Sequence, residues 1–226
     1  MDRRKFLLGI TALSVSAVTG AAPDIGTFSG KTHLEFDDDA VRKFKPAIPI
    51  GNYKEDAHRI YMFISFSCPF CAQTWEAFAK WALALPNPYK FVYVPIFNGK
   101  VQNTAGTGFY IIRELAPTRT PEYLRLAFSL QQKRNTGTKD YIAILYQMGF
   151  TRQQIASASQ SAVTQKRIAR AMMLYQRYRV GIVNQTPVFG VAGKYLTHTG
   201  FTKNGYYKEV AENLSWLITD EIEKAS

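Results

Sequence analysis

Residues 66–71 of the 226-residue chain read Phe66-Ser67-Cys68-Pro69-Phe70-Cys71, and they contain its only two cysteines. An apolar run over 59–66, rich in aromatic and β-branched residues, ends at the first residue of this hexapeptide. The run predicts a strand that is buried on both faces. Behind it, apolar residues recur at helical spacing until Pro86. We therefore expect the cysteine pair at the junction between a buried strand and the start of a helix.

The position of the two cysteines at a helix N-terminus predicts redox chemistry. Backbone N–H groups lack partners there and the helix dipole is positive, so a thiolate is stabilised. Cysteines of C-x-x-C motifs in this setting have pKa values of roughly 3.5–7.5, against about 8.5 for a free thiol. Pro69 suits the first helical turn, where its missing N–H costs nothing. We expect Cys68 to be the exposed, attacking sulfur and Cys71 the buried, resolving one.

Two other roles for the pair are disfavoured. A zinc site needs about four ligands, whereas the chain offers no further cysteine and only three scattered histidines, His33, His58 and His198. A structural disulfide across two residues closes a very short loop and constrains little of the unfolded chain. The sequence therefore predicts no metal site and no other cofactor, and it favours a redox-active pair.

The N-terminus has the layout of a secretory signal peptide. A basic start, Asp2-Arg3-Arg4-Lys5, precedes a modestly apolar run over 6–18 and small residues over 19–22. The apolar run is shorter than the ~20 residues that a membrane-spanning helix needs. We predict a signal peptide over 1–21 and a periplasmic location. The paired arginines leave both the Sec and the twin-arginine export routes open.

The basic excess of the chain does not indicate nucleic-acid binding. Lys and Arg outnumber Asp and Glu by 28 to 17, a formal net charge of +11. Residues 1–21 contain three basic residues and one acidic residue, so 25 basic and 16 acidic residues remain after them. The remaining excess is dispersed, and its densest stretch, 166–179, is expected to form the solvated face of a helix. We expect no nucleic-acid partner.

Hydrophobic patterning predicts an α/β fold interrupted by a helical block. Residues 22–57 form a lead-in with a short edge strand at 33–36. Residues 58–102 contain a strand, a helix and a strand, which is a βαβ unit and the first half of the fold. The pattern is helical over 103–178, and 179–226 returns to a hairpin and a closing helix. The fold is therefore predicted in two halves with an inserted helical domain between them.

A second motif lies late in the chain, at Asn184-Gln185-Thr186-Pro187-Val188-Phe189. A proline that opens a strand fits a cis peptide in a tight loop, although periodicity alone favours an ordinary trans proline. Taken together, the CPFC motif, Thr186-Pro187 and the helical block resemble the DsbA-like branch of the thioredoxin superfamily. The resemblance covers roughly residues 58–222.

The resemblance implies a thioredoxin fold with an inserted helical domain, and thiol–disulfide oxidoreductase activity on exported proteins. By this resemblance, Pro187 is the cis-proline packed against the catalytic pair, and Thr186 forms backbone hydrogen bonds with an extended substrate segment. The residues expected to border an apolar peptide surface are Phe66, Pro69, Phe70, Thr186 and Val188. The implied partners are unfolded or folding exported proteins and a DsbB-like, quinone-linked membrane protein that reoxidises the pair. We expect a monomer.

The chain departs from the family pattern at two positions. Phe70 stands where many relatives have His, so no cation neighbours the thiolate and we expect a less extreme oxidant. Met62 stands where oxidases of this type often bury an acidic residue in the strand before the motif, which places that proton relay in doubt. Glu76, the nearest acidic residue, is expected to be an exposed helix carboxylate.

Three other functions stay open at this point. An isomerase or reductase uses the same motif, although isomerases of the superfamily usually carry an N-terminal dimerisation domain. Only about 45 residues lie between the predicted cleavage site and Cys68, which disfavours such a domain. A peptide-binding chaperone uses the same groove without redox turnover. A glutathione-dependent transferase on this architecture generally has Ser at the reactive position, so the paired cysteines argue against it.

Overall fold

The structure, a computed structural model, describes residues 47–133 and 135–225. The predicted signal peptide and the predicted edge strand at 33–36 lie outside the described residues, and so does the lead-in up to residue 46. Within the described ranges, no helix has the length and apolar character needed to cross a membrane.

Five strands form one mixed sheet in the described part of the chain. They are β1 (Ile48–Pro49), β2 (Arg59–Ile64), β3 (Lys90–Pro95), β4 (Val188–Val191) and β5 (Tyr195–Thr197). Their spatial order is β1-β5-β4-β2-β3, in which β2 and β3 are parallel and the other neighbouring pairs are antiparallel. The inner strand β2 is buried from its second residue onward. That burial on both faces explains its continuous apolar sequence.

Seven helices accompany the sheet over the described ranges. They are α1 (Pro69–Ala82), α2 (Lys100–Leu115), α3 (Thr120–Ser129), α4 (Thr138–Gln147), α5 (Arg152–Gln160), α6 (Ala162–Arg177) and α7 (Tyr207–Ala225). Helix α1 contacts β3 and α7, and α7 contacts β4 and β5. Helix α2 packs against α3, α4, α5 and α6, so it is the centre of the helical block. The predicted order of a βαβ unit, helices, a hairpin and a closing helix is confirmed.

The sequence pattern singles out the later helices of the block but not α2. Glycine is among the least favourable residues in a helix interior, and α2 contains Gly106 and Gly108. A Cβ atom at Gly108 would lie 2.3 Å from the hydroxyl oxygen of the buried Tyr123, which packs directly on α2. The close approach of helices α2 and α3 therefore requires a residue that lowers the helical signal of the sequence.

Gly190 allows β4 to pass under a buried aromatic ring. A Cβ atom at this position would lie 2.4 Å from Cε1 of Tyr178. Tyr178 is fully buried, and its hydroxyl accepts a hydrogen bond from the Gly193 N–H at 3.1 Å, which limits movement of the ring. We expect Gly190→Ala to lower the free energy of unfolding by about 1–3 kcal/mol, because an overpacked core forces such shifts.

Chemical denaturation of the two proteins measures this difference. Gly137→Ala is the matched control, since the nearest atom to an added Cβ there is 3.9 Å away. An equal loss of stability in both variants would show that the Tyr178 ring is not the obstacle.

Candidate active site

The two cysteines lie at the start of α1, where the sequence predicts them. Cys68 is the N-cap residue, with extended backbone angles of φ −90° and ψ 116°, and Pro69 is the first helical residue. The Cys68 sulfur accepts a hydrogen bond from the backbone N–H of Cys71 at 3.3 Å. The sulfur therefore takes the place that a Ser or Asp oxygen usually has at a helix start. A negative charge on it is stabilised by this donor and by the helix dipole.

The two sulfurs lie in different environments. Cys68 is partly exposed, whereas Cys71 is 0% exposed. The pKa of Cys68 is lowered to about 6, first by a hydrogen bond from the Cys71 side chain, and also by the Thr186 side chain and the Cys71 backbone, against the effect of burial. Burial raises the pKa of Cys71 well above its usual value, and the Cys68 sulfur adds to that shift. Near neutral pH, Cys68 is therefore a thiolate and Cys71 a thiol.

The titration of Cys68 in the reduced protein is the measurement that checks this arrangement. We expect the thiolate absorbance near 240 nm to rise with a midpoint at about pH 6. Because the pKa is lower in the folded chain, the thiolate stabilises the folded, reduced protein above about pH 8.5. That contribution is lost as the pH falls through about 6.

Two variants control the titration. Cys68→Ser should remove the transition, and Cys71→Ala should move its midpoint upward because the principal hydrogen-bond donor is lost. A midpoint at the free-thiol value of about 8.5 in the unmodified protein would contradict the interpretation.

The loop before β4 meets the cysteine pair. The Thr186-Pro187 peptide bond is cis, as the resemblance implies and in contrast to the trans form that periodicity alone favours. In its thiol form, Cys68 donates a hydrogen bond from Sγ to the Thr186 carbonyl oxygen at 3.1 Å. The fold therefore brings together two motifs that are 118 residues apart in the sequence.

Three of the five residues expected at a peptide surface are accessible. Pro69 and Phe70 are exposed, the latter by 52%, and Thr186 is partly exposed. The Phe70 ring lies against that of Tyr207 in α7, with 6.0 Å between the ring centroids. The exposed apolar side chains of Pro69 and Phe70 thus lie in the first turn of α1, directly after Cys68.

Phe66 and Val188 are corrections to the predicted surface, because both side chains are 0% exposed. Val188 lies within the sheet, opposite Phe63 of β2. Phe66 points into the helical block and packs against three aromatic rings, those of Tyr123, Phe128 and Tyr141. Both side chains belong to the core and offer no area to a bound peptide.

Two glutamines of the helical block hold the strand-to-helix junction, and no sequence pattern singles them out. The Gln131 amide donates to the carbonyl oxygens of Phe66 at 2.9 Å and of Cys68 at 2.8 Å. The buried Gln102 accepts a hydrogen bond from the Phe66 N–H at 2.9 Å. A carboxamide carries both donors and an acceptor, so it satisfies backbone groups that neither strand nor helix pairs. A lone glutamine in a helical segment otherwise resembles any polar surface residue.

Met62 and Glu76, the two residues considered for an acidic group near the motif, lie in different environments. Met62 is 0% exposed in β2. Glu76 is exposed on α1 and forms an ion pair with Arg125 at 3.3 Å. Among the residues that the structure describes, no group of three or more His, Cys, Asp or Glu side chains is arranged to hold a metal ion.

The architecture defines a class of fold. A βαβ unit, an antiparallel hairpin and a final helix form the thioredoxin fold, and the five helices between β3 and β4 form an insertion in it. The cysteine pair at the start of α1 and the cis-proline before β4 lie in the thioredoxin part. The expected α/β thioredoxin fold with an inserted helical domain is confirmed.

Solved structures of DsbA proteins share this fold. DsbA from Pseudomonas aeruginosa is 18% identical with a TM-score of 0.67, over 80% of this chain and 94% of that chain. The DsbA disulfide interchange protein from Klebsiella pneumoniae is 22% identical with a TM-score of 0.65, over 79% and 96%. DsbA from Proteus mirabilis, solved with a non-covalently bound peptide, is 16% identical with a TM-score of 0.61, over 77% and 94%. No protein-family model and no curated protein matches the sequence.

Proposed function

We propose that this protein is an exported thiol–disulfide oxidoreductase that introduces disulfides into exported proteins through Cys68 and Cys71. The observation that carries the proposal is the state of the two sulfurs. Cys68 is accessible at a helix N-terminus with its pKa lowered to about 6, and Cys71 is buried beside it with a raised pKa. The DsbA fold supports the same chemistry.

The proposed cycle begins with a disulfide between Cys68 and Cys71. A thiolate of the unfolded substrate attacks the Cys68 sulfur, and the bond to Cys71 breaks, so Cys71 leaves and takes up a proton. A second substrate thiolate then attacks the substrate sulfur of the mixed disulfide and displaces Cys68 as a thiolate. Two electrons pass from the substrate dithiol to the enzyme. The products are a substrate disulfide and reduced Cys68 and Cys71.

The lowered pKa of Cys68 favours the oxidising direction. A thiol with a pKa of about 6 is roughly nine-tenths ionised at pH 7, which stabilises the reduced enzyme. The same shift makes Cys68 a good leaving group in the second step. Phe70 supplies no positive charge, so the thiolate depends on the helix terminus and on neighbouring hydrogen-bond donors, and we expect a milder oxidant than a relative with His there.

The substrate site is proposed to lie beside the reactive sulfur. Thr186 offers backbone hydrogen bonds to an extended peptide, while Pro69 and Phe70 supply apolar contact, and Pro187 packs against the disulfide. The peptide complex of the Proteus mirabilis protein supports peptide binding on this fold. We further propose a periplasmic, monomeric protein with a signal peptide over 1–21, recycled by a DsbB-like membrane protein.

The reduction potential of the cysteine pair tests the direction of the reaction. The protein is equilibrated with glutathione buffers of graded potential, and the reduced fraction is counted by alkylation of the free thiols. An oxidase is expected well above the potential of thioredoxin, about −270 mV, and toward the value of about −120 mV known for a strong oxidant of this fold. A value near that of thioredoxin would contradict the oxidase and favour the reductase.

A further inference from the structure

A cavity of about 380 Å³ lies between the β2–β3 pair and helices α2 and α6. Its lining contains four arginines, Arg59, Arg113, Arg167 and Arg170, and one acidic residue, Glu55, among the residues that the structure describes. The rest of the lining is aromatic or aliphatic: Tyr61, Val92, Val94, Tyr110, Ala171 and Leu174. Neither cysteine belongs to the lining, so this site is separate from the proposed redox site.

The positive charge of the cavity is only partly neutralised by acidic side chains. Arg170 forms an ion pair with the buried Asp56 at 2.9 Å. Glu55 forms its ion pair with Arg177, which is not part of the lining, at 2.8 Å. Over the described ranges, the other three lining arginines, 59, 113 and 167, form no ion pair.

The carboxylate of Glu114, which follows Arg113 in the chain, is engaged elsewhere. It accepts hydrogen bonds from the hydroxyls of Ser161 and Thr164. These two hydrogen bonds lower the pKa of Glu114 most, and the charge of Arg167 makes a smaller contribution in the same direction. The cavity therefore keeps a surplus of positive charge.

Arg167 and Arg113 provide two further observations on the charge of the cavity. The Nη1 atom of Arg167 is buried and has no hydrogen-bond partner among the described residues. A buried N–H group without an acceptor is costly, and native structures rarely leave one in that state. Burial lowers the pKa of Arg113. Tyr110 opposes this shift, and the charge of Arg167 adds to it. An oxyanion bound in the cavity would offset the repulsion between Arg113 and Arg167 and would provide the acceptor that Nη1 of Arg167 lacks.

We propose that this cavity binds a small anion with at least two carboxylate or phosphate groups. Guanidinium groups bind both kinds of oxyanion through paired hydrogen bonds, which makes arginine suited to this task. The aliphatic part of the lining accommodates a short carbon skeleton. The cavity volume falls within the range of small-molecule sites, which is about 300–1,000 Å³.

Isothermal titration calorimetry of the purified protein with pyrophosphate and with citrate tests the proposal. We expect saturable binding of at least one probe, and no saturable binding of acetate. The preferred probe distinguishes a phosphate ligand from a carboxylate ligand. Arg113→Gln and Arg167→Gln should each weaken binding by at least about tenfold, as expected for the loss of a charge-assisted hydrogen bond.

Lys166→Gln is the matched control, because Lys166 is exposed on α6 next to Arg167 and does not line the cavity. It should change the affinity by less than about twofold, since an exposed charge interacts only weakly through water. Arg113→Lys keeps the charge but loses the paired donors, and it should also weaken binding. Because this change is milder, it keeps the test valid if Arg113→Gln fails to fold. Thermal melting checks that each variant is folded.

Three outcomes would overturn the proposal. The first is the absence of saturable binding of either probe. The second is an equal effect of Lys166→Gln, which would indicate general attraction to a basic surface. The third is binding that appears only after Asp37, Asp38 and Asp39 are replaced by Asn, which would make the acidic stretch of the chain itself the occupant. Cys68→Ser should leave anion binding unchanged, so failure of the redox proposal is recognised separately.

Discussion

Replacing Cys68 with serine is expected to reduce the oxidation of reduced, unfolded proteins by about a thousandfold or more, because the serine variant cannot form the disulfide that the substrate thiolate attacks. Cys68 is the accessible sulfur with the lowered pKa. Cys71 cannot substitute for it, because its side chain is 0% exposed and its pKa is raised. The measurement is the rate of disulfide formation in a reduced model protein, followed by acid quenching and separation of the products.

The companion variant Cys71→Ser should separate attack from resolution. Cys68 remains able to attack a disulfide-containing peptide, but the buried residue can no longer release the adduct, so a stable mixed disulfide should accumulate and appear by mass. Glu76→Gln is the matched control, since Glu76 is exposed on the same helix, and it should change the rate by less than about twofold. Folding assistance that survives Cys68→Ser would instead support the non-redox chaperone.

Removal of the Asp56 carboxylate should destabilise the protein more than Gly190→Ala does. Asp56 is 0% exposed. Its Oδ1 accepts hydrogen bonds from the Tyr61 hydroxyl at 2.6 Å and from Arg170 at 2.9 Å. Its Oδ2 accepts one from Arg177 at 2.7 Å. Since Asp56→Ala leaves these donors without their buried acceptor, we expect a loss of about 3–5 kcal/mol in the free energy of unfolding.

Glu55→Gln is the control for Asp56→Ala because the two carboxylates are adjacent and both bind Arg177. The Glu55 side chain is 55% exposed, so its loss should cost no more than about 1 kcal/mol. Urea denaturation at fixed pH and ionic strength measures both variants. Similar losses would show that the buried network does not contribute as the geometry indicates.

The elements that the sequence predicts well are those whose signal is local. The continuous apolar run of β2 and the C-x-x-C spacing at the start of α1 each depend on a few adjacent residues. Helix α2 lacks such a signal because its glycines serve contacts with other elements.

The environment of the candidate site was harder to predict, because distant residues create it. Phe66 is adjacent to the motif and apolar, which suggests a peptide surface, yet rings from three later helical positions bury it. Gln131 lies 63 positions after Cys68 in the sequence, so its contact with the motif exists only in the folded chain. Asp56 lies in the segment predicted only as a lead-in, whereas its carboxylate is the acceptor at the centre of a buried polar network.

The hydrogen bonds from Gln102 and Gln131 have a consequence for engineering. A minimal redox module trimmed to the sheet, α1 and α7 would retain both cysteines and the cis-proline. It would also leave the Phe66 N–H and the carbonyls of Phe66 and Cys68 without the partners that now orient them. The inserted helices therefore act as a brace for the turn that contains the cysteine pair. Any shortened or grafted version of this protein must supply an equivalent brace if the sulfur is to keep its reactivity.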